Sequence, residues 1–354
     1  MRHAPRSRAA GELRHIRAFA AGLLLLAAIT ALPVASQSPS PRRLVDRQWV
    51  GIWRAGGAAD DELFAFPREL LATKDGVYVL DIGTLELIAF DPLGRKRWVV
   101  GSKGKGPGQF IQPVDLTVAS DGDIAVLDPG NGRISFFAPG GTFRRSVAAP
   151  GVVQASSLCI TEDSRIHLWV ARPATAILTL DGSGKTVVER QFPWLVPPRS
   201  PEFLRSAYFA RGTPSSECAF ATLFGFGVGR MSAAAVSTTP YIEALMPPKL
   251  VQERLKGGTV RTGMTEGVNA AAAAMHSGDT VLVHFAGSSP LAHRVLDLYK
   301  PGSGYLESWT IPGCGRVAYH APWLYCISNM AESARLTAFV SRQDTARVLR
   351  MFSR

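Results

Sequence analysis

The stretch from Trp98 to Val147 limits the fold of this chain more than any other. A glycine-rich link, Gly101 to Gly108, leads through Phe110 and Pro113 to an apolar run, Leu116 to Ala119. The turn Ser120-Asp121-Gly122-Asp123 opens a second run, Ile124 to Leu127, which ends at Asp128. Pro129-Gly130-Asn131-Gly132 turns into a third run, Ile134 to Ala138, and Gly140-Gly141 into a fourth, Phe143 to Val147. Runs this short are strands rather than helices, and the residues between them are those that tight turns demand. The segment reads as a four-stranded antiparallel meander.

The rhythm recurs. Arg68 to Val100 is an earlier copy, turning at Thr73-Lys74-Asp75-Gly76, and Phe66-Pro67 matches Gln112-Pro113 in position. A third copy turns at Glu162-Asp163-Ser164. A fourth is expected to start at Cys218 to Phe224, after a long Pro193 to Glu217 connection, and to continue through Met231 to Val236, Tyr241 to Met246 and Leu250 to Leu255. A fifth turns at His276-Ser277-Gly278-Asp279, with Ala270 to Ala274 as its inner strand, and a sixth at His320-Ala321-Pro322. The inner turns fall near residues 75, 122, 164, 227, 278 and 321. Four strands every 40–50 residues or so is the spacing of a β-propeller. The expected fold is all-β, a six-bladed β-propeller of four-stranded antiparallel blades over 48–354. Val-Tyr-Val-Leu and Ile-Ala-Val-Leu lack alternation, as strands covered on both faces should. Two segments compete to close the ring: Trp49 to Arg54, and a tail strand near Val348.

Ahead of the repeats, Arg2, Arg6, Arg8, Arg14 and Arg17 precede an apolar run, Ala18 to Leu32, and then Pro33-Val34-Ala35-Ser36-Gln37. Basic, apolar, then small is the order of a signal peptide over 1–37, with an uncleaved membrane anchor as the alternative. Residues 38–47 read as a flexible linker. Export, periplasmic or secreted, follows. Net charge is +11, and the leader's five arginines and one glutamate account for +4 of it. The other basic residues are scattered, which favours a solvated surface; an anionic polymer is a second candidate partner and nucleic acid is disfavoured. The four cysteines have no Cys-x-x-Cys spacing, so they suit disulfides rather than zinc. Cys314 and Cys326 flank the hairpin at His320 and are a disulfide candidate. Cys159 and Cys218 either pair across neighbouring repeats or stay as buried thiols.

The residues Gly104-Lys105-Gly106-Pro107-Gly108-Gln109-Phe110, Pro113, Asp121-Gly122-Asp123-Ile124 and Asp128-Pro129-Gly130-Asn131-Gly132-Arg133-Ile134, followed by Phe137 and Gly140-Gly141, are similar to the NHL repeat family. More broadly they resemble exported bacterial six-bladed β-propellers. The resemblance covers the first two repeats. It implies a binding scaffold: members mostly bind proteins, and some intracellular ones bind RNA on a basic face. A lyase branch uses metal-binding histidines, and related lactonases hold a metal in the channel with acidic and amide side chains.

No catalytic constellation emerges from the residues themselves. Gly104-x-Gly106-x-Gly108 has no helix after it to align amides on a phosphate, so it is a link. His167, His276, His284, His293 and His320 lack ligand spacing, and no residue is assigned to a metal or to a cofactor. No Gly-x-Ser-x-Gly elbow exists to carry a nucleophile. Asp81 and Asp128 close second strands in matching places and are expected to cap the turns that follow. The loops entering the inner strands ring one mouth of a propeller channel, and here they would present Arg68, Glu69, Gln112, Asp115, Gln154, Glu217, Glu266, Asn269 and Arg316. Trp194, Phe203, Tyr208 and Phe209 would add aromatic surface if exposed. The resulting expectation is an exported, non-catalytic scaffold that binds a protein or cell-envelope component through that loop face. A metal-dependent propeller hydrolase or lyase with its site in the central channel is the alternative.

Overall fold

Each short apolar run of the repeat can bury both its faces only between two neighbours, and that requirement shapes the molecule. The computed structural model describes residues 42–352, apart from 58–62, 172–175, 192–205, 225–226, 233–234, 244–248, 255–257, 259, 267–270, 288 and 331–332. The leader therefore lies outside the described residues. The fold is a six-bladed β-propeller of four-stranded antiparallel blades.

Blade one is Pro67–Thr73, Gly76–Asp81, Glu86–Phe90 and Lys96–Val100. Blade two is Asp115–Val118, Ile124–Asp128, Arg133–Phe137 and Phe143–Ala148, and blade three is Ala155–Ile160, Ile166–Val170, Ala176–Leu180 and Thr186–Gln191. Blade five is Ala271–Ser277, Thr280–Phe285, Val295–Lys300 and Gly304–Thr310. The first strands of successive blades are neighbours around the channel, and Arg316–His320 of blade six lies beside Pro67–Thr73 of blade one.

Alternate residues of one strand serve opposite interfaces. Val77 and Val79 belong to the apolar cluster shared with blade six, whereas Tyr78 and Leu80 belong to the cluster shared with blade two. Ile124 and Val126 likewise face blade one, and Ala125 and Leu127 face blade three. Six such clusters form, one between each pair of neighbouring blades. This is the physical content of the uninterrupted apolar runs.

The ring closes through its N-terminal segment. Trp49–Gly56 pairs antiparallel with Arg335–Ser341, as the outer strand of a blade completed by Arg316–His320 and Trp323–Ser328. The tail does not compete for that slot, because Thr345–Phe352 is a helix whose buried residue is Val348. The stretch expected as a linker, residues 38–47, contributes a short strand, Leu44–Asp46, added in parallel to the outer strand of blade five. Arg42 ties it down, bonding Asp297 at 3.0 and 2.8 Å, pairing with Glu243 and lying 4.0 Å over the Phe285 ring.

Trp53 sits where Trp98 sits one blade later. Its indole N–H donates to Pro92 O at 2.9 Å, and that of Trp98 to Pro139 O at 2.9 Å. Each ring covers a turn glycine with positive φ, Gly94 and Gly141, where a Cβ would meet the indole at 2.6 and 2.8 Å. Only glycine allows both the backbone angle and the contact.

Blade four departs from the expected reading. Its inner strand is Ala207–Phe209, inside the segment taken as a connection, and Cys218–Thr222 is the second strand. Val228–Met231 and Val236–Thr239 complete it. Of the expected strand Tyr241 to Met246, residues 241–243 belong to no strand and the rest lies outside the described residues; Lys249–Arg254 pairs with Val260–Glu266 in a separate two-stranded sheet. Three residues preceded by several prolines carry too little pattern to be recognised as a strand. Phe209 is buried in this strand and Tyr208 is partly buried, so both cover a blade; Trp194 and Phe203 lie outside the described residues.

Disulfides join Cys159 to Cys218, between blades three and four, and Cys314 to Cys326. Cys314 lies just before Arg316–His320, and the cross-strand neighbour of Cys326 is Val317.

Candidate functional site

Every inner strand runs from one mouth of the channel to the other. The loops that lead into these strands ring one mouth, here the loop mouth. The turns joining first to second strands ring the opposite mouth, the turn mouth.

Asp81 and Asp128 stand at the loop-mouth ends of second strands and are fully buried. Asp128 accepts the N–H groups of Ile111 and Gln112 at 3.0 and 2.8 Å, that of Asn131 at 3.4 Å, and the Asn131 amide at 2.8 Å. Asp81 accepts from Ala65, Phe66, Gly83 and Thr84. Each carboxylate therefore caps the turn after it and also pins the loop entering its own blade. In the glycine-rich link the captured groups are carbonyls. Arg133 donates to Lys105, Gly106 and Gln109, and Asn131 to Gly104 and Gln109. A phosphate cradle needs the opposite polarity.

Within the channel, Glu69 and Asp115 come together on Arg211, a residue that sequence reasoning missed because it lay in the supposed connection. Arg211 Nη2 lies 2.8 Å from Glu69 Oε2, and Nη2 and Nε lie 2.6 and 3.0 Å from Asp115 Oδ1. Asp115 also accepts from Leu116 N, Ser157 Oγ and Leu158 N. Ser157 Oγ in turn accepts from Phe209 N. All three charged side chains are 3% exposed or less. Burial raises the Glu69 carboxyl above its usual range, with Arg211 pulling against it and Asp115 adding to it. Burial works against the Arg211 charge, but Asp115 and Glu69 outweigh it and the guanidinium is held more firmly protonated. Both carboxylates are committed to one guanidinium, so the triad ties blades one, two and four together.

The remaining candidates are spread out. Arg68 is partly exposed, its Nε 4.0 Å from Glu69 Oε1. Arg316 donates from Nε to Arg68 O at 2.7 Å and from Nη1 to Gly315 O at 3.2 Å. The side chains of Gln112 and Gln154 are exposed. Glu217 leads into a second strand rather than an inner one, so it belongs near the turn mouth, where it pairs with Arg230 at 3.3 Å. That displacement follows from the inner strand of blade four being Ala207–Phe209. Glu266 ends the separate hairpin, and Asn269 lies outside the described residues.

The histidines are less scattered than expected. His167 is held by Thr161 and Thr179, and burial pushes its pKa down to about 4. His284 and His293 bring their rings to 5.1 Å. Among the described residues, no three of His, Cys, Asp and Glu are grouped to hold a metal ion.

At the turn mouth two depressions open, of about 420 and 280 Å³. They share Thr213, Pro214 and His320. The larger reaches the turns Thr73–Asp75 and Ser120–Gly122, and the smaller reaches His276–Gly278. The Arg211–Glu217 segment is bonded across this mouth: Arg211 N donates to Ala274 O, His276 N to Arg211 O, and Glu162 N to Ser215 O. Burial lowers the pKa of both His276 and His320, which are neutral imidazoles at neutral pH.

Among the described residues, no helix is long and apolar enough to cross a membrane. Comparison with known proteins agrees with the architecture. A family model described as 6-bladed beta-propeller matches residues 58–174. No curated protein resembles the chain in sequence. Among solved structures, a protein described as exported, from Bacteroides fragilis, is 10% identical over 84% of this chain and 99% of its own, with a TM-score of 0.53. Virginiamycin B lyase from Staphylococcus aureus, in a catalytically inactive form with quinupristin, is 10% identical over 83% of this chain and 99% of its own, with a TM-score of 0.52. A protein from Bacteroides vulgatus is 11% identical over 82% and 97%, with a TM-score of 0.51. At these identities the likeness concerns the fold: this chain is similar to six-bladed β-propellers.

Proposed function

We propose that the chain is an exported, non-catalytic β-propeller that binds a protein or cell-envelope component at its turn mouth. The observation that carries this reading is the pair of adjoining depressions sharing Thr213, Pro214 and His320. They are concave, reached by the inner turns of five blades, and combine an apolar floor (Tyr78, Val118, Ile124, Pro139) with hydroxyl, carboxylate and imidazole groups, which suits recognition of an external amphipathic group. The acidic residues of the channel, by contrast, are committed to Arg211. The NHL-like pattern of the first two repeats and the basic–apolar leader support the same reading, as does the Bacteroides fragilis neighbour described as exported.

Site-specific photo-crosslinking tests it. A photoreactive residue at exposed Thr213 or Ser120 is expected to give a discrete adduct in intact cells, and one at Val187 on the outer strand of blade three is not. Identical patterns from both faces would end the proposal. Fractionation should find an N-terminally shortened species outside the cytoplasm. Elemental analysis addresses the hydrolase or lyase alternative: a stoichiometric metal that survives dialysis would favour it.

A further inference from the structure

The loop mouth holds a second cluster that the binding reading does not use. His284 and Leu282 face the same side of the second strand of blade five, and Leu282 belongs to the cluster between blades five and six. A leucine or phenylalanine would suit a position that is 0% exposed. Neither nitrogen of that imidazole makes a well-formed hydrogen bond, though the backbone of His293 lies close enough to favour its charged form. A buried polar group left in that state is destabilising unless something supplies its missing partner. Nδ1 of His293 beside it is also buried without a hydrogen-bond partner, as is Nε of Arg68, whose carbonyl accepts from Arg316. Arg316 acts electrostatically on both imidazoles, and among the described residues no carboxylate pairs with it.

The charges point the same way. Arg68, Arg211 and Arg316 all act on Glu69, as does Asp115. Three guanidinium groups thus face two carboxylates, and one positive charge is in excess. The imidazoles add none: burial above all, then the neighbouring His293 and Arg316, pushes His284 down to about 3, and burial lowers His293 in the same sense. Neutral histidines offer one N–H each, and Arg316 keeps donors on its two terminal nitrogens beyond those bonded to the backbone.

We propose that this cluster at the loop mouth, where blades five, six and one meet, binds an oxyanion, the phosphate or carboxylate group of a small ligand. Arg316 and Arg68 supply the charge, and His284 and His293 supply neutral donors. One bound negative charge balances the cluster and gives the buried donors an acceptor. The backbone is prepared for this. Cys314 N donates to His293 O at 3.0 Å, and Cys314 is joined to Cys326, so the residues on either side of the site are fixed before a ligand arrives. This site lies at the opposite end of the channel from the turn mouth, and the proposal stands whether or not that mouth binds a partner.

Thermal melting and calorimetric titration of the leaderless chain test it, with inorganic phosphate, sulfate and acetate compared against chloride at constant ionic strength. Saturable stabilisation by phosphate or sulfate assigns a phosphate-bearing ligand, and by acetate a carboxylate-bearing one. Arg316→Gln is expected to weaken binding by about tenfold or more, the worth of one charge-assisted hydrogen bond. His293→Asn tolerates the positive φ of 60° at that position and should weaken it less. Lys185→Gln, on an exposed turn of blade three, should leave it unchanged. If Arg316→Gln does not fold, Arg316→Lys keeps the charge, loses the fork and should bind at an intermediate strength. Stabilisation equal to that in chloride, or undiminished in the Arg316 and His293 variants, overturns the site.

Discussion

Asp128 and Arg211 carry weight out of proportion to their number, for opposite reasons. Asp128, itself fully buried, gathers three backbone amides and one side-chain amide from two separate loop segments. Asp128→Ala should cost about 3 kcal/mol or more, read as a lower denaturant midpoint with an unchanged slope. A loss under about 1 kcal/mol would show that the loop finds other partners. Arg211 matters through what it neutralises. Arg211→Met leaves Glu69 and Asp115 buried side by side and should destabilise by about 3–5 kcal/mol. The triple change with Glu69→Gln and Asp115→Asn should recover much of that, and a single variant as stable as the parent would refute the account. Asp81 and Asp128 were legible because they recur at matched places in two repeats. Arg211 was not, since its role depends on carboxylates from two other blades.

At the scale of elements, the strands with a strong repeat were readable and those without one were not. Blades one and two have turn residues at matching offsets and a Trp within each preceding outer strand, Trp53 and Trp98, so register and packing both follow. Blade four has a three-residue inner strand, and its neighbours were assigned one place too far inward in consequence. Its attachment is reinforced by Cys159–Cys218, whose sequence separation is 59. Closing a loop of that size restricts the unfolded chain, and replacing both cysteines with serine should cost about 4 kcal/mol in the chain-entropy treatment. Equilibrium unfolding of the double variant measures it, and an unchanged midpoint would mean that the packing of Trp169 against Phe209 and Phe220 already suffices.

For the whole molecule, the buried histidines set a direction for acid stability. His167 and His284 have folded pKa values near 4 and 3, against about 6.5 unfolded. Below about pH 6.5 the unfolded chain takes up protons that the folded chain refuses, so stability falls with pH. Each histidine removes about 1.4 kcal/mol per unit until its folded pKa is reached. Glu69 has the opposite sign, because its raised pKa lets the folded state keep a proton, and it offsets part of the loss. Melting temperature should therefore decline from pH 7 to pH 5, less steeply in His167→Gln; a flat profile would contradict the burial of these rings. The amino-acid order by itself determined that this chain makes twisted four-stranded units that cannot stand alone, since short runs apolar on both faces and punctuated by turn residues permit nothing else. Only the tertiary structure decided that Trp49–Gly56 rather than the tail closes the ring, that Glu69 and Asp115 share Arg211, and that His284 meets His293 near Arg316. Those facts join residues far apart in the chain, and periodicity, a property of near neighbours, carries no trace of them.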